Sequence, residues 1–111
     1  MTNNDILRRL RYALDLTDLQ VTKIIAHTGV EAGPTLVGSW LKREDDKAFV
    51  ELPAPMLCSF LDGLIFEKRG PRPDGTIPKP LEFLSSNEIL KKLRIALELR
   101  DEDLNAVFKR A

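Results

Sequence analysis

Apolar residues recur with the period of an α-helix in two segments of closely similar sequence. Residues 4–16 read NDILRRLRYALDL and residues 87–99 read NEILKKLRIALEL. Over the eighteen positions that begin at Asn4 and Asn87, nine residues are identical, and several others replace Asp by Glu or Arg by Lys. The pattern predicts one helical unit that is used twice along the chain.

The repeated unit is predicted to be a pair of helices joined by a short hinge. In the first copy, one helix covers about residues 4–14, and the next begins near Thr17 or Asp18 and stops at Gly29. The second copy places its helices at about residues 86–97 and 101–109. Three segments have the spacing of a capping box at a helix start: Thr2-x-x-Asp5, Thr17-x-x-Gln20 and Ser85-x-x-Glu88.

Two further helices are predicted between the copies. Pro34 suits the first turn of a short helix that continues to Trp40 and Leu41. After the charged turn KREDDK at 42–47, the sequence PAP at 53–55 opens a longer helix that ends near Arg69. The apolar face of this helix is predicted to consist of Met56, Leu57, Phe60, Leu61, Leu64 and Ile65.

Residues 70–80 read GPRPDGTIPKP and are expected to form an extended connector. The predicted fold class is therefore all-α, a small helical bundle with an internal repeat of a helix pair. Its parts are a first unit of about four helices at 1–70, a connector at 71–84 and a partial second copy at 85–111. The second copy lacks a counterpart of residues 30–69, so its apolar stripe must dock on the first unit or be exchanged with another chain in a homodimer.

Composition and charge narrow the class of protein. A chain of 111 residues holds one modest core, and 17 basic residues balance 17 acidic ones. A nucleic-acid binder without net charge has to place its cations on one face. The single cysteine, Cys58, predicts that there is no internal disulfide. No apolar run reaches about 20 residues, and the N-terminus is unlike a leader. Together these features predict a cytoplasmic protein.

Four segments carry a resemblance to a known family: NDILRRLRYAL at 4–14, GSWLKRED at 38–45, CSFLDGLIFEKRG at 58–70 and NEILKKLRIAL at 87–97. Together they resemble the YehS-like family of small bacterial proteins of unknown function over essentially the whole chain. Members of that family typically carry two copies of the domain, whereas this sequence stops partway through the second. The resemblance implies the repeat, but it implies no activity, cofactor or catalytic residue.

Basic helix faces are the first candidates for binding. Arg8 points away from the apolar stripe of the first helix with Tyr12 close by, and Lys91 has the equivalent place in the second copy. Such faces are able to follow a phosphate backbone. The favoured interpretation is a solvated surface, because oppositely charged residues four positions apart stabilise an exposed helix. These pairs are Asp5–Arg9, Arg11–Asp15, Glu88–Lys92 and Arg94–Glu98.

An atypical helix-turn-helix that binds DNA or RNA is the alternative. Residues 16–40 contain the landmarks of that motif in order, but the intervals are about two to three residues longer than in its tight form. The second helix of this motif would expose mostly small side chains. Base edges would be contacted only by Lys42 and Arg43, which follow it.

The remaining candidates are a basic cluster and three single residues. Lys68 and Arg69 end the longest helix, where cations complement its dipole, and Arg72 follows. His27 is interpreted as a capping or surface residue, Cys58 as a small buried hydrophobe and Trp40 as a core residue.

These observations favour a non-enzymatic interaction module, without a cofactor or a metal site, that self-associates or binds a protein partner. The candidate contacts to a partner or to nucleic acid are Arg8, Tyr12, Lys42, Arg43, Lys68, Arg69, Arg72 and Lys91.

Overall fold

A computed structural model describes residues 2–71, 73–77 and 79–97, and five α-helices form within them. In chain order these are α1 (Asn3–Ala13), α2 (Asp18–Ala26), α3 (Pro34–Trp40), α4 (Ala54–Arg69) and α5 (Ser86–Leu97). The predicted all-α fold class is confirmed. The helix expected at 101–109 lies outside the described residues, so the paired repeat and the division into three parts stay predictions.

The predicted caps set the starts of the first two helices. Thr2 accepts a hydrogen bond from the backbone N–H of Asp5, and the Asp5 carboxylate accepts one from the N–H of Thr2. The latter bond lowers the pKa of Asp5. Thr17 and Gln20 form the same reciprocal pair at α2. Pro34 is the first residue of α3, as predicted.

Residues with a left-handed backbone follow the first two helices. Gly29, with φ of 79°, follows α2 and is the predicted stop. Asp15, with φ of 52°, lies in the hinge after α1. Because α1 already ends at Ala13, Asp15 is not on the helix, and the predicted Arg11–Asp15 pair is wrong. Arg11 instead pairs with Asp18, with 3.1 Å between Nε and Oδ1.

α4 lies at the centre of the bundle. It packs against α1, α2 and α5, and every residue from Leu57 to Leu64 is buried. The predicted single apolar face is therefore incomplete, because Cys58, Ser59 and Asp62 are enclosed as well. The other helices contribute Ile6, Leu7, Leu10, Val21, Ile24, Ile25, Val37, Trp40, Ile89, Leu93 and Ala96 to the core.

Gly63 allows α2 to lie directly against α4. A Cβ atom at this position would stand 1.9 Å from the carbonyl oxygen of Ile24 and 2.8 Å from its carbonyl carbon. No side chain fits at such a distance from a backbone, so any other residue would force α2 away from α4.

Asn4 fastens the loop between α3 and α4 to α1. Its side chain is buried, and its Nδ2 donates to the carbonyl oxygens of Trp40 and Val50 at 2.9 Å each. Its Oδ1 accepts from the N–H of Leu52, also at 2.9 Å. A buried amide with these three partners fixes the path of the loop. Asn87, its counterpart in the second copy, is exposed on α5.

We expect Asn4→Ala to lower the free energy of unfolding by about 2–4 kcal/mol. The substitution leaves two backbone carbonyls and one N–H without a hydrogen-bond partner, at a buried position where water cannot take the place of the side chain. The repeat supplies a matched control: Asn87→Ala changes an exposed residue and should shift stability by no more than about 0.5 kcal/mol. Urea unfolding followed by circular dichroism measures both. Equal effects of the two substitutions would contradict the role assigned to Asn4.

Candidate functional site

The structure brings three of the predicted basic contacts together. Arg8 on α1 pairs with the Asp5 carboxylate, and its Nη1 donates to the backbone carbonyl of Lys42 at 3.1 Å. Lys42 and Arg43 are exposed and follow Leu41, the C-cap residue of α3. Arg43 Nε lies 4.0 Å from Asp45 Oδ1. The end of α3 and the middle of α1 therefore form one basic surface that also holds carboxylates.

The other predicted contacts lie on different elements. Tyr12 is 87% exposed near the end of α1, and Lys91 is exposed on α5. Lys68 and Arg69 are in the last turn of α4, where sequence analysis placed them. Arg72 lies outside the described residues.

A buried polar cluster joins α4, α5 and the connector. The Asp62 side chain is only 3% exposed, and its Oδ1 accepts a hydrogen bond from Lys92 Nζ on α5 at 2.5 Å. Its Oδ2 lies 3.4 Å from the Cys58 sulfur, which donates to it from one turn earlier on α4. The same sulfur accepts the backbone N–H of Leu81 in the connector, at 3.4 Å. A carboxylate so enclosed needs a cation beside it, so Lys92 ties α5 to α4.

Sequence analysis missed the contact between Asp62 and Lys92. It assigned Lys92 to a surface pair with Glu88, but Glu88 is engaged in the cap of α5. The Ser85 hydroxyl accepts the N–H of Glu88 at 3.1 Å and lies 3.2 Å from its carboxylate. Lys92 instead lies beside the buried face of α5, and its Nζ contacts Asp62. The signal available in the sequence is one carboxylate inside the apolar run FLDGLIF, which must find a cation if that helix is enclosed.

Cys58 is buried, as predicted, but it is also part of this polar cluster. Burial raises the pKa of the Cys58 thiol, so the thiol stays protonated above its usual range. A thiol without thiolate character reacts slowly with electrophiles and disulfides. The structure therefore assigns Cys58 a hydrogen-bonding role between α4 and the connector.

A small cavity of about 50 Å³ lies between the end of α2, the second half of α4 and the connector. His27, the C-cap residue of α2, stacks on Phe66 with 4.6 Å between the ring centroids. His27 Nε2 lies 3.5 Å from Glu67 Oε2. The cavity is large enough for a few water molecules. Its lining consists of His27, Thr28, Asp62, Ile65, Phe66, Gly70, Thr76 and Ile77.

The described part of the chain contains neither a cluster of metal-ligating side chains nor a membrane-spanning helix. Among residues 2–71, 73–77 and 79–97, no three His, Cys, Asp or Glu side chains are grouped in a way that would hold a metal ion. No helix described there combines the length and the apolar character needed to cross a membrane.

The helical bundle around an enclosed α4 defines a small all-α protein, and comparisons with known proteins identify its family. Residues 3–70 match the family described as "Protein of unknown function (DUF1456)". The chain belongs to this family. It is also similar to the "Uncharacterized protein YehS" of Escherichia coli (strain K12), with 40% identity over 107 residues that make up 96% of this chain and 69% of that protein. The resemblance predicted from the four sequence segments is confirmed. Comparison with solved structures finds no match.

We expect Lys92→Met to lower the free energy of unfolding by about 3 kcal/mol, because it leaves the Asp62 carboxylate buried without its cation. Lys91→Met is the matched control, since the neighbouring lysine is exposed and its loss should cost no more than about 0.5 kcal/mol. Chemical unfolding measures both values. In the folded state, a thiol reagent should also modify Cys58 faster in the Lys92 variant. Equal stability and equal thiol reactivity in the two variants would contradict the assigned role of Lys92.

Proposed function

We propose that this chain is a non-enzymatic helical interaction module that associates with itself or with a protein partner. One observation carries the proposal: the connector holds large apolar side chains in water. Phe83 is 86% exposed and Ile77 is 55% exposed, and Leu81 lies between them in sequence. Aromatic and aliphatic side chains of this kind provide much of the binding free energy when a partner removes them from water.

The connector is suited to present these side chains at a defined place. Its prolines restrict the backbone, and the hydrogen bond from the N–H of Leu81 to the Cys58 sulfur anchors it to α4. Ile77 and Thr76 also line the cavity beside Phe66. A surface that is already ordered loses less conformational entropy when a partner binds.

We expect Phe83→Ser to weaken self-association at least about tenfold, which corresponds to about 1.4 kcal/mol. Sedimentation velocity over micromolar to submillimolar protein concentrations measures the change. Leu19→Ser is the control, because it removes an apolar side chain that is exposed on α2, away from the connector sequence. The proposal is contradicted if the wild-type chain is monomeric throughout and retains no protein from a cell extract.

A nucleic-acid-binding regulator with an atypical helix-turn-helix is the second candidate. The observation that favours it is the bond from Arg8 to the Lys42 carbonyl, which places Arg8, Lys42 and Arg43 around the end of α3. Residues 27–33 separate α2 from α3, whereas the turn of the common motif has about three to four residues. Contacts to phosphates are therefore more compatible with this surface than base reading by α3.

If this candidate is right, we expect the wild-type chain to bind mixed-sequence duplex or single-stranded DNA with an affinity that falls steeply as salt is raised. Lys42→Glu combined with Arg43→Glu should weaken binding at least about tenfold. Lys79→Glu combined with Arg94→Glu changes the net charge equally at exposed residues that are not among the candidate contacts, and it serves as the control. Fluorescence anisotropy at low and near-physiological salt measures both. An unchanged affinity of the Lys42 and Arg43 variant rules out this docking mode.

A further inference from the structure

We propose that α5 is exchanged between two copies of this chain, and that the buried Asp62–Lys92 ion pair then forms between the copies. The inference rests on the self-association proposed above and specifies its mode. In this arrangement, α4 of each chain receives α5 of the other, and the two connectors run between the two bundles.

The length of the connector permits the exchange. Sixteen residues, 70–85, separate the last residue of α4 from the first of α5. Extended, they span up to about 55 Å, since each residue contributes about 3.4 Å. The longest dimension of the molecule is 42 Å. The connector is therefore long enough for α5 to reach the same site on a neighbouring chain.

The contacts that hold α5 also permit the exchange. It packs on α4 through one apolar stripe, formed by Ile89, Leu93 and Ala96, and through the ion pair from Lys92 to Asp62. The hydrogen bond from Leu81 to Cys58 is a weak N–H···S contact, and it is released when the whole connector extends. The contacts of α5 named here are all made with α4. An α5 from another chain makes the same contacts without any change in α4.

The ion pair makes the docking of α5 selective. An apolar groove on α4 would accept many amphipathic helices, but a helix without a cation at the position of Lys92 leaves the Asp62 carboxylate buried and unpaired. This cost disfavours helices without a cation at that position, whereas the α5 of a second copy of this chain carries both the apolar stripe and the lysine.

In the closed form α5 packs on α4 of its own chain, and in the exchanged form it packs on α4 of the other chain. The balance between these two forms depends on the connector. The contacts between α4 and α5 are the same in both forms, so they do not favour one over the other. Phe83 and Ile77 are exposed in the closed chain. In the exchanged dimer the two connectors lie close together, and these side chains cover each other.

Charge reversal tests the exchange directly. Asp62→Lys places two cations together in a closed chain, and Lys92→Asp places two carboxylates together. Each variant alone should therefore lose the docking of α5. When the two are mixed, exchange pairs every residue 62 with a residue 92 of opposite charge. We expect an equimolar mixture to form a heterodimer, detected by sedimentation velocity and by native mass spectrometry with one chain isotopically labelled.

The control carries both substitutions in one chain, where the reversed pair forms internally. If this control folds and the mixture of single variants gives no heterodimer, the exchange is overturned. If the control does not fold, the following measurement decides, because it needs no reversed charge.

Isotopically labelled and unlabelled wild-type chains are mixed, and the appearance of mixed dimers is followed by native mass spectrometry. Exchange requires α5 to leave α4, so Lys92→Met should speed the mixing at least tenfold, whereas Lys91→Met should not. An equal rate in the two variants, or a wild-type chain without dimers, overturns the inference. If Phe83→Ser weakens association but Lys92→Met leaves the mixing rate unchanged, the proposed function stands and the exchange falls.

Discussion

The close approach of α2 to α4 at Gly63 determines how the rest of the bundle is arranged. The backbone of Ile24 occupies the space that a Cβ at position 63 would need, so α2 lies directly against α4 at this point. α1 also packs on α4, and the ion pair from Arg11 to Asp18 links α1 to the start of α2. The remaining side of α4 is covered by α5. A charged side chain on a helix that is enclosed in this way needs a partner of opposite charge inside the protein.

Asp62, the residue before Gly63, shows the consequence of this enclosure. Its carboxylate has lost its water, and a cation has to come from the helix that covers that side. A buried ion pair adds little net stability compared with an apolar contact of the same shape, but it penalises any arrangement that leaves one charge alone. The pair therefore makes the docking of α5 specific, while Ile89, Leu93 and Ala96 supply the apolar area.

Sequence reasoning succeeded where structure depends on neighbouring residues. The capping boxes at Thr2 and Thr17, the proline at the start of α3 and the left-handed Gly29 are local features, and each stands where it was predicted. It failed where partners are distant along the chain. Lys92 and Asp62 are 30 residues apart, and Asn4 and Leu52 are 48 apart. Helical periodicity identifies a buried face, but it does not show which side chain of another element will meet it.

α1 and α5 are similar in sequence, but they pack differently. Ile6 and Ile89 occupy equivalent positions, and both are buried. Asn4 is enclosed by a loop, however, whereas Asn87 faces water. Conversely, Ala13 is exposed and its counterpart Ala96 is buried.

The same apolar pattern therefore packs through different sides of the two helices. A polar residue beside each buried stripe determines which side is buried. In α1 this residue is Asn4, which binds a loop, and in α5 it is Lys92, which binds a carboxylate. An amphipathic helix by itself has little directional preference, because apolar contacts are not directional. Hydrogen bonds and ion pairs are directional, so one buried polar residue is enough to give each copy its own partner.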